Sequence, residues 1–338
     1  MGMKSNSILW RMLLLAVVAG QVVLAGDQKS EAKSQSWNPK LVHADQNIAL
    51  KNNDKTIWQF NYDPKQPKPY FHPVALLDGT VLTDNSPPDH LWHHALWFAW
   101  KNINGVNFWE EDPQTGQSNG KTTWNNVNVT TAKDHSAAIT MELLYNHREQ
   151  EPILTEKRSM AVSPPTVDGT YYIDWTSEFK ACSDVDVTFD RTPLADEPGG
   201  QPWGGYAGLS VRLNGQGQNW TVETDKGPLK WANGTFRGKA NAMDYSGIFD
   251  GQAAGIAILD HPENLNAPSP WYAINNNPMK YFSPAVICYK PHTLPAGQTF
   301  TLKYRIIVHP KKWDADTLKT QIDKYRPVQD KHKERGNP

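Results

Sequence analysis

Four of the chain's eleven histidines, His72, His90, His93 and His94, fall in one stretch from Pro69 to Glu111 together with Trp92, Trp97, Trp100 and Trp109. His90 and His93 stand three apart with His94 beside them, and Asp89 precedes the group, where it can orient an imidazole or compete for a metal. Clustered imidazoles transfer protons near neutral pH or ligate a cation. The indoles add flat apolar faces with an N–H donor, which suits a sugar ring with its apolar C–H faces and polar hydroxyl edge. His93 or His90 is therefore the candidate general acid, and Glu156 or Glu178 the candidate base. Arg158 or Arg212 would hold a substrate carboxylate or hydroxyl, with His72, Trp92, Trp203, His261 and Trp271 as further binding candidates. An alternative is a divalent-metal site of His72, His90 and His93, although His-x-x-His persuades only when a further ligand is in place. No other cofactor is expected.

The elements that must position these groups read as strands and turns. Ser86-Pro87-Pro88-Asp89 cannot continue a helix or a central strand, because each proline removes a donor and restrains its predecessor, so the histidines begin at a fixed turn. Of Trp97 and Trp100, three apart, at least one should be core. Period-two alternation marks strands with one buried face. It groups Trp58, Phe60 and Tyr62; Ile139, Met141, Leu143 and Tyr145; Leu209, Val211 and Leu213, with Ser210 and Arg212 opposite; and Phe300 to Val308. Leu154, Glu156, Arg158, Met160 and Val162 also share a face, so Glu156 and Arg158 are same-side neighbours. With Asp174 and Glu178 on the next strand, past an Asp168-Gly169 hairpin turn, they line a polar concave floor or simply form solvated pairs. Residues 193–205, PLADEPGGQPWGG, form a long loop of the kind that is more often functional than idle, with Trp203 as a lid or stacking residue. His261 either joins the cluster across the sheet or caps a strand end. Pro270, Trp271 and Tyr272 belong to a second aromatic loop. Only the C-terminus has a helical pattern, with Leu318, Ile322 and Tyr325 after a possible N-cap at Asp314.

The run YFHP, a DG turn, SPPDHxxHH, LWFAW and NGVNFW resembles the uncharacterised bacterial family DUF6807. The resemblance continues through EKR at 156–158, GLSVRL at 208–213, IAILDHPEN at 256–264, SPWY at 269–272 and YRIIVH at 304–309, nearly the whole mature chain. The family is often labelled "PmoA family", after a methane monooxygenase subunit with several membrane spans. The label misleads, because no apolar stretch of about 18 residues follows the leader here. Members often carry His-Arg-Gly-Leu where this chain has His93-His94-Ala95-Leu96, so no role is carried over to His94.

Residues 1–25 read as a cleaved export signal: Lys4 and Arg11, an apolar run from Met12 to Leu24, and a small-residue site at Ala25. A secreted or periplasmic protein follows. Residues 26–36 are a polar linker and 326–338 a disordered tail, leaving 37–325 as one β-sandwich domain. A net charge of −1 excludes an obvious nucleic-acid or acidic-membrane partner. Cys182 and Cys288 are too few for a disulfide scaffold but can pair in an oxidising compartment. Many antiparallel strands, tight DG and NG turns and little helix predict a large all-β sandwich of the galactose-mutarotase-like supersandwich type, with a short C-terminal helix. The function expected is an exported carbohydrate-active enzyme using general acid/base chemistry as an epimerase, lyase or hydrolase. A non-catalytic glycan-binding protein is the alternative from another class.

Overall fold

The computed structural model describes residues 37–147 and 149–326. The expected leader and linker, and the tail beyond Arg326, lie outside the described residues.

Two nine-stranded antiparallel sheets face one another. The first runs, in spatial order, Pro39–Ala44, Asn47–Asn52, Lys55–Asn61, Tyr70–Val74, Leu96–Ala99, Gly208–Leu213, Lys280–Ser283, Pro270–Asn275 and Thr235–Lys239. The second runs Gly227–Pro228, Gln218–Thr224, Ala242–Phe249, Gln252–Asp260, Thr299–His309, Tyr171–Ala181, Pro152–Val162, Ala137–Asn146 and Lys121–Thr131. A four-stranded sheet of His292–Leu294, Val187–Asp190, Asn102–Ile103 and Val106–Asn107 stands beside them. The expected antiparallel β-sandwich is therefore the fold.

Alternation explains which side chains fill it. Ile139, Met141, Leu143 and Tyr145 are buried while Glu142 is exposed, as a strand with one face on the core requires. Leu209, Val211 and Leu213 of the first sheet, and Leu302, Tyr304, Ile306 and Val308 of the second, meet in the same apolar cluster between the sheets. Trp58, Phe60 and Trp175 fill it with aromatic volume, each fully buried. Trp100 joins it from the segment after Leu96–Ala99, whereas Trp97 points to the other face of the first sheet.

That outer face carries a second apolar cluster of Trp97, Trp109, Tyr272, Ile274, Tyr281 and Cys288. A third forms where the helix Ala315–Tyr325 lays Leu318 and Ile322 on the outer face of the second sheet. The Asp314 carboxylate caps this helix by accepting from the Thr317 amide at 2.8 Å. Among the described residues no helix is long and apolar enough to cross a membrane. Cys182 and Cys288 are free thiols, one exposed and one buried, so the pairing considered from sequence does not form.

Candidate active site

The histidine loop connects two neighbouring strands of the first sheet, Tyr70–Val74 and Leu96–Ala99. Its turns are local products of the prolines. The His90 amide donates to the Pro87 carbonyl at 2.9 Å, the His93 amide to the His90 carbonyl at 3.0 Å, and the Ser86 amide to the His93 carbonyl at 2.8 Å. These bonds stack the His90 and His93 rings, with centroids 4.6 Å apart and planes at 29°. Tyr281 continues the column on the far side of His93 at 5.3 Å, and Trp97 flanks it at 5.1 Å. Ala95 re-enters the sheet at φ 61°, a left-handed conformation that costs a non-glycine residue about 1–2 kcal/mol. Backbone strain is thus stored beside the histidines.

Glu110 arrives by a different route. After Leu96–Ala99 the chain makes a tight hairpin at Asn104-Gly105, both at positive φ (47° and 77°), the geometry that an Asn-Gly pair favours. The Asn107 side-chain oxygen then accepts from the amides of Trp109 (2.7 Å) and Glu110 (3.2 Å), fixing both residues as the chain turns back. Glu110 is paired with the Lys101 ammonium and accepts from the Tyr206 hydroxyl at 2.7 Å. Burial works to raise its pKa, but the Lys101 charge and the hydrogen bonds outweigh burial and hold the carboxyl below its ordinary value.

These parts enclose a cavity of about 370 Å³ on the outer face of the first sheet. Its polar walls are His90, His93 and Glu110; its apolar walls are Trp92, Trp109, Trp203, Tyr206, Tyr272 and Tyr281, with Ile274 and Met279 completing it. A larger hollow of about 470 Å³ lies beside His43, Asp45 and Trp124 and contains nothing of the histidine loop.

The two cavity histidines differ electrostatically. His93 is 3 % exposed, and burial, reinforced by the nearby charges of His90 and Arg212, pushes its pKa well below the usual value, so it is neutral near pH 7. That state removes the imidazolium a general acid at His93 would need. Its Nδ1 has no hydrogen-bond partner among the described residues. His90 is more open, with a third of its side chain exposed, and its Nδ1 lies 2.9 Å from the Asp89 carboxylate. A carboxylate only accepts, so this nitrogen carries a proton and Nε2 is the ring nitrogen not engaged by Asp89. Asp89 is itself gripped by Arg212, whose Nη2 donates to both carboxylate oxygens at 2.8 and 2.7 Å. Burial alone would raise the Asp89 pKa, but Arg212 and His90 bring it below its ordinary value.

Behind the cavity wall, His94 takes no direct part. Its Nε2 donates to Glu111 at 2.8 Å, and Lys68 pairs with the same carboxylate while donating to the Trp109 carbonyl at 2.9 Å. This buried trio holds the backbone between Trp109 and Glu111.

Of the other candidates, Trp92 and Trp203 line the cavity. Arg212 does not line it and reaches it only through Asp89. Glu156 and Arg158 are corrected outright: at 0 % and 1 % exposure they lie between the two sheets, neither on a concave floor nor in solvent. Their strand face is the core face, because Leu154, Met160 and Val162 share it. Glu178 sits on the opposite, exposed side of the neighbouring strand, so it is grouped with neither Glu156 nor the cavity. Trp271 is fully buried in the intersheet core with its Nε1 donating to the Ala240 carbonyl at 2.9 Å; one residue on, Tyr272 takes the cavity position. His261 accepts from the Glu263 amide at 3.2 Å and packs edge-on against Tyr325, so it closes a turn near the C-terminal helix and is not part of the histidine group. His72 lies on the outer face but bonds Thr83 at 3.2 Å and is outside the cavity lining. Among the described residues no three His, Cys, Asp or Glu side chains converge as a metal ligand set, so the alternative site of His72, His90 and His93 is not assembled.

Glu110, Tyr206 and Tyr281 were not among the residues singled out from the sequence, and Tyr272, expected in an aromatic loop, lies in the strand Pro270–Asn275. A signal existed for the first: Glu110 and Glu111 end the same stretch that carries the histidines, directly after Trp109.

A large antiparallel β-sandwich bearing an aromatic cavity walled by imidazole and carboxylate is the class that these observations define. The chain belongs to DUF6807, a family of unknown function whose model matches residues 47–323. No curated protein matches it significantly. Among solved structures it is similar to a putative aldose 1-epimerase from Klebsiella pneumoniae, at 8 % identity and a TM-score of 0.42, over 86 % of this chain and 87 % of that one. It is also similar to the galactosidase domain of the α-galactosidase-sucrose kinase AgaSK, at 11 % identity and a TM-score of 0.36. That match covers 80 % of this chain but only 41 % of the other protein's chain.

Proposed function

We propose that this protein is an exported carbohydrate-active enzyme that binds a sugar in the outer-face cavity and moves a proton between the sugar and the His90 and Glu110 side chains. The observation that carries the proposal is the pairing, within one aromatic-walled cavity, of an Asp89-oriented imidazole with a carboxylate held ionised by Lys101. Trp92, Trp109 and Tyr272 offer faces to the C–H surface of a pyranose, and His90 and Glu110 offer polar atoms to its hydroxyl edge. The Nε2 of His90 accepts a proton while Asp89 stabilises the imidazolium, and the same group returns the proton later in the cycle. Glu110 accepts a hydrogen bond from a sugar hydroxyl and is the second proton-transfer group. A glycosidase of the usual kind needs two carboxylates flanking the bond. Glu110 is the one carboxylate among the described lining residues, so the arrangement favours epimerisation or elimination over hydrolysis.

The test is proton NMR of the mature protein with a panel of mono-, oligo- and polysaccharides, read for turnover and for saturation transfer. New sugar signals that fall by about 10²–10⁴-fold in rate in Glu110→Gln and His90→Asn support the proposal, that range being what a positioned acid or base contributes. Saturation transfer without turnover, unchanged in both variants, overturns catalysis and leaves a glycan-binding protein.

A further inference from the structure

Trp203 is 55 % exposed although it lines the cavity, whereas Trp109 on the cavity wall is 2 % exposed. Single exposed aromatics are ordinary on protein surfaces. The mounting of this one is not. Residues 193–205 contain no strand or helix, yet the loop is braced throughout. Gln201 donates to the Pro193 carbonyl, Gly204 to Gln201 and Gly205 to Thr192, all at 2.9–3.0 Å. Glu197 accepts from the Leu194 amide at 2.5 Å and from Arg191 Nη2 at 2.5 and 2.7 Å. A Cβ at Gly204 would come within 2.0 Å of the Pro193 oxygen, so the loop packs on itself as closely as glycine allows.

The decisive contact is Arg237. Its guanidinium donates to the carbonyls on both sides of Trp203, those of Pro202 (2.6 Å) and Gly204 (2.8 and 3.0 Å). The same guanidinium lies 4.8 Å over the ring of Tyr272, a cavity wall. The backbone that carries Trp203 is thereby clamped to the cavity, and an indole half in solvent is held at its mouth. Such a group loses little freedom when a second flat apolar face settles on it, which is the condition for stacking to yield affinity.

We infer that Trp203 forms a rim subsite for a second sugar ring, so that the substrate is a glycoside or the end of an oligosaccharide and not a free monosaccharide. This deepens the sugar-binding proposal for the same cavity and rests on it.

The test is titration calorimetry with matched ligands, a methyl pyranoside and its di- and trisaccharide, in the glucose, galactose, mannose, xylose and N-acetylglucosamine series. In the series that binds, the disaccharide binds wild type about tenfold more tightly than the methyl glycoside, the order expected from the apolar area that one sugar face covers on an exposed indole. In Trp203→Ala that ratio falls to about one, and in Trp203→Phe most of it survives. Trp92→Ala, a cavity-wall residue outside the Arg237 clamp, weakens both ligands together and keeps the ratio. Equal affinity of mono- and disaccharide for wild type overturns the rim subsite while leaving the sugar proposal standing. Absence of binding in every series overturns the sugar proposal and the subsite with it.

Discussion

Replacing Glu156 separates a structural carboxylate from a catalytic one. Its two oxygens accept four hydrogen bonds: Arg158 Nε at 2.6 Å, Arg158 Nη2 at 2.8 Å, the Tyr145 hydroxyl at 2.5 Å and the Ser177 hydroxyl at 2.5 Å. All of this is sealed between the sheets, with Arg158 lying over Trp175 at 4.8 Å. In Glu156→Leu the guanidinium keeps its charge but loses its counter-ion, and removing one member of a buried pair costs about 3–5 kcal/mol. For a chain of this size that is a fall in Tm of roughly 5–8 °C. The double variant Glu156→Leu/Arg158→Met removes both charges and leaves only the two hydroxyls without their acceptor, at about 1–3 kcal/mol each before relaxation, partly offset because an apolar pair often replaces a buried ion pair without loss. The double variant is therefore expected to be more stable than Glu156→Leu alone. Urea unfolding of wild type, both singles and the double closes the cycle, with sugar binding measured on the same samples at 20 °C, well below any transition. A double variant no more stable than the single refutes the coupling. A Glu156→Gln protein with wild-type stability and abolished turnover refutes the structural assignment itself.

Acid should destabilise the fold through its buried histidines. His93 and His94 have pKa values lowered, burial being the largest cause, so below about pH 6.5 the unfolded chain takes up protons that the folded one refuses. Stability is then full above that pH and is lost as pH falls, by up to about 1.4 kcal/mol per pH unit for each histidine; urea midpoints between pH 5 and 8 should show a shallower slope in His93→Gln, and equal slopes would exclude His93 as a contributor. The adjacent residues Trp271 and Tyr272 should differ in sugar affinity. Trp271→Ala removes a fully buried indole, costs about 3–5 kcal/mol of stability and leaves affinity of the folded protein unchanged, whereas Tyr272→Ala loses sugar affinity in addition to packing in the outer-face cluster; calorimetric unfolding beside ligand titration distinguishes them, and affinity lost only in Trp271→Ala would mean that the strand is in the wrong register.

Much of the scaffold was legible because it is local. Alternation in Leu209 to Leu213 and in Leu302 to Val308 assigned core faces that the sandwich keeps, the Pro87-Pro88 turn started the histidine loop where it does start, and Asp314 caps the helix Ala315–Tyr325. Each depends on backbone geometry and neighbours within a few residues. The site was legible only in part. His90, His93, Trp92 and Trp203 do meet at the cavity, but Glu110 was overlooked as the carboxylate, while Glu156, Glu178, His261 and Trp271 lie elsewhere. A period of two shows that Glu156 and Arg158 share a face and that Trp271 and Tyr272 do not. Whether that face meets the opposite sheet or the solvent is set by strand pairing across the whole chain, such as Gly208–Leu213 against Leu96–Ala99 and Lys280–Ser283. Chain order and spacing alone determined a β-sandwich with a histidine-centred aromatic segment. Only long-range pairing decided that Glu110, Tyr206 and Tyr272 complete the cavity, because their convergence depends on contacts between residues as far apart as Glu110 and Tyr206.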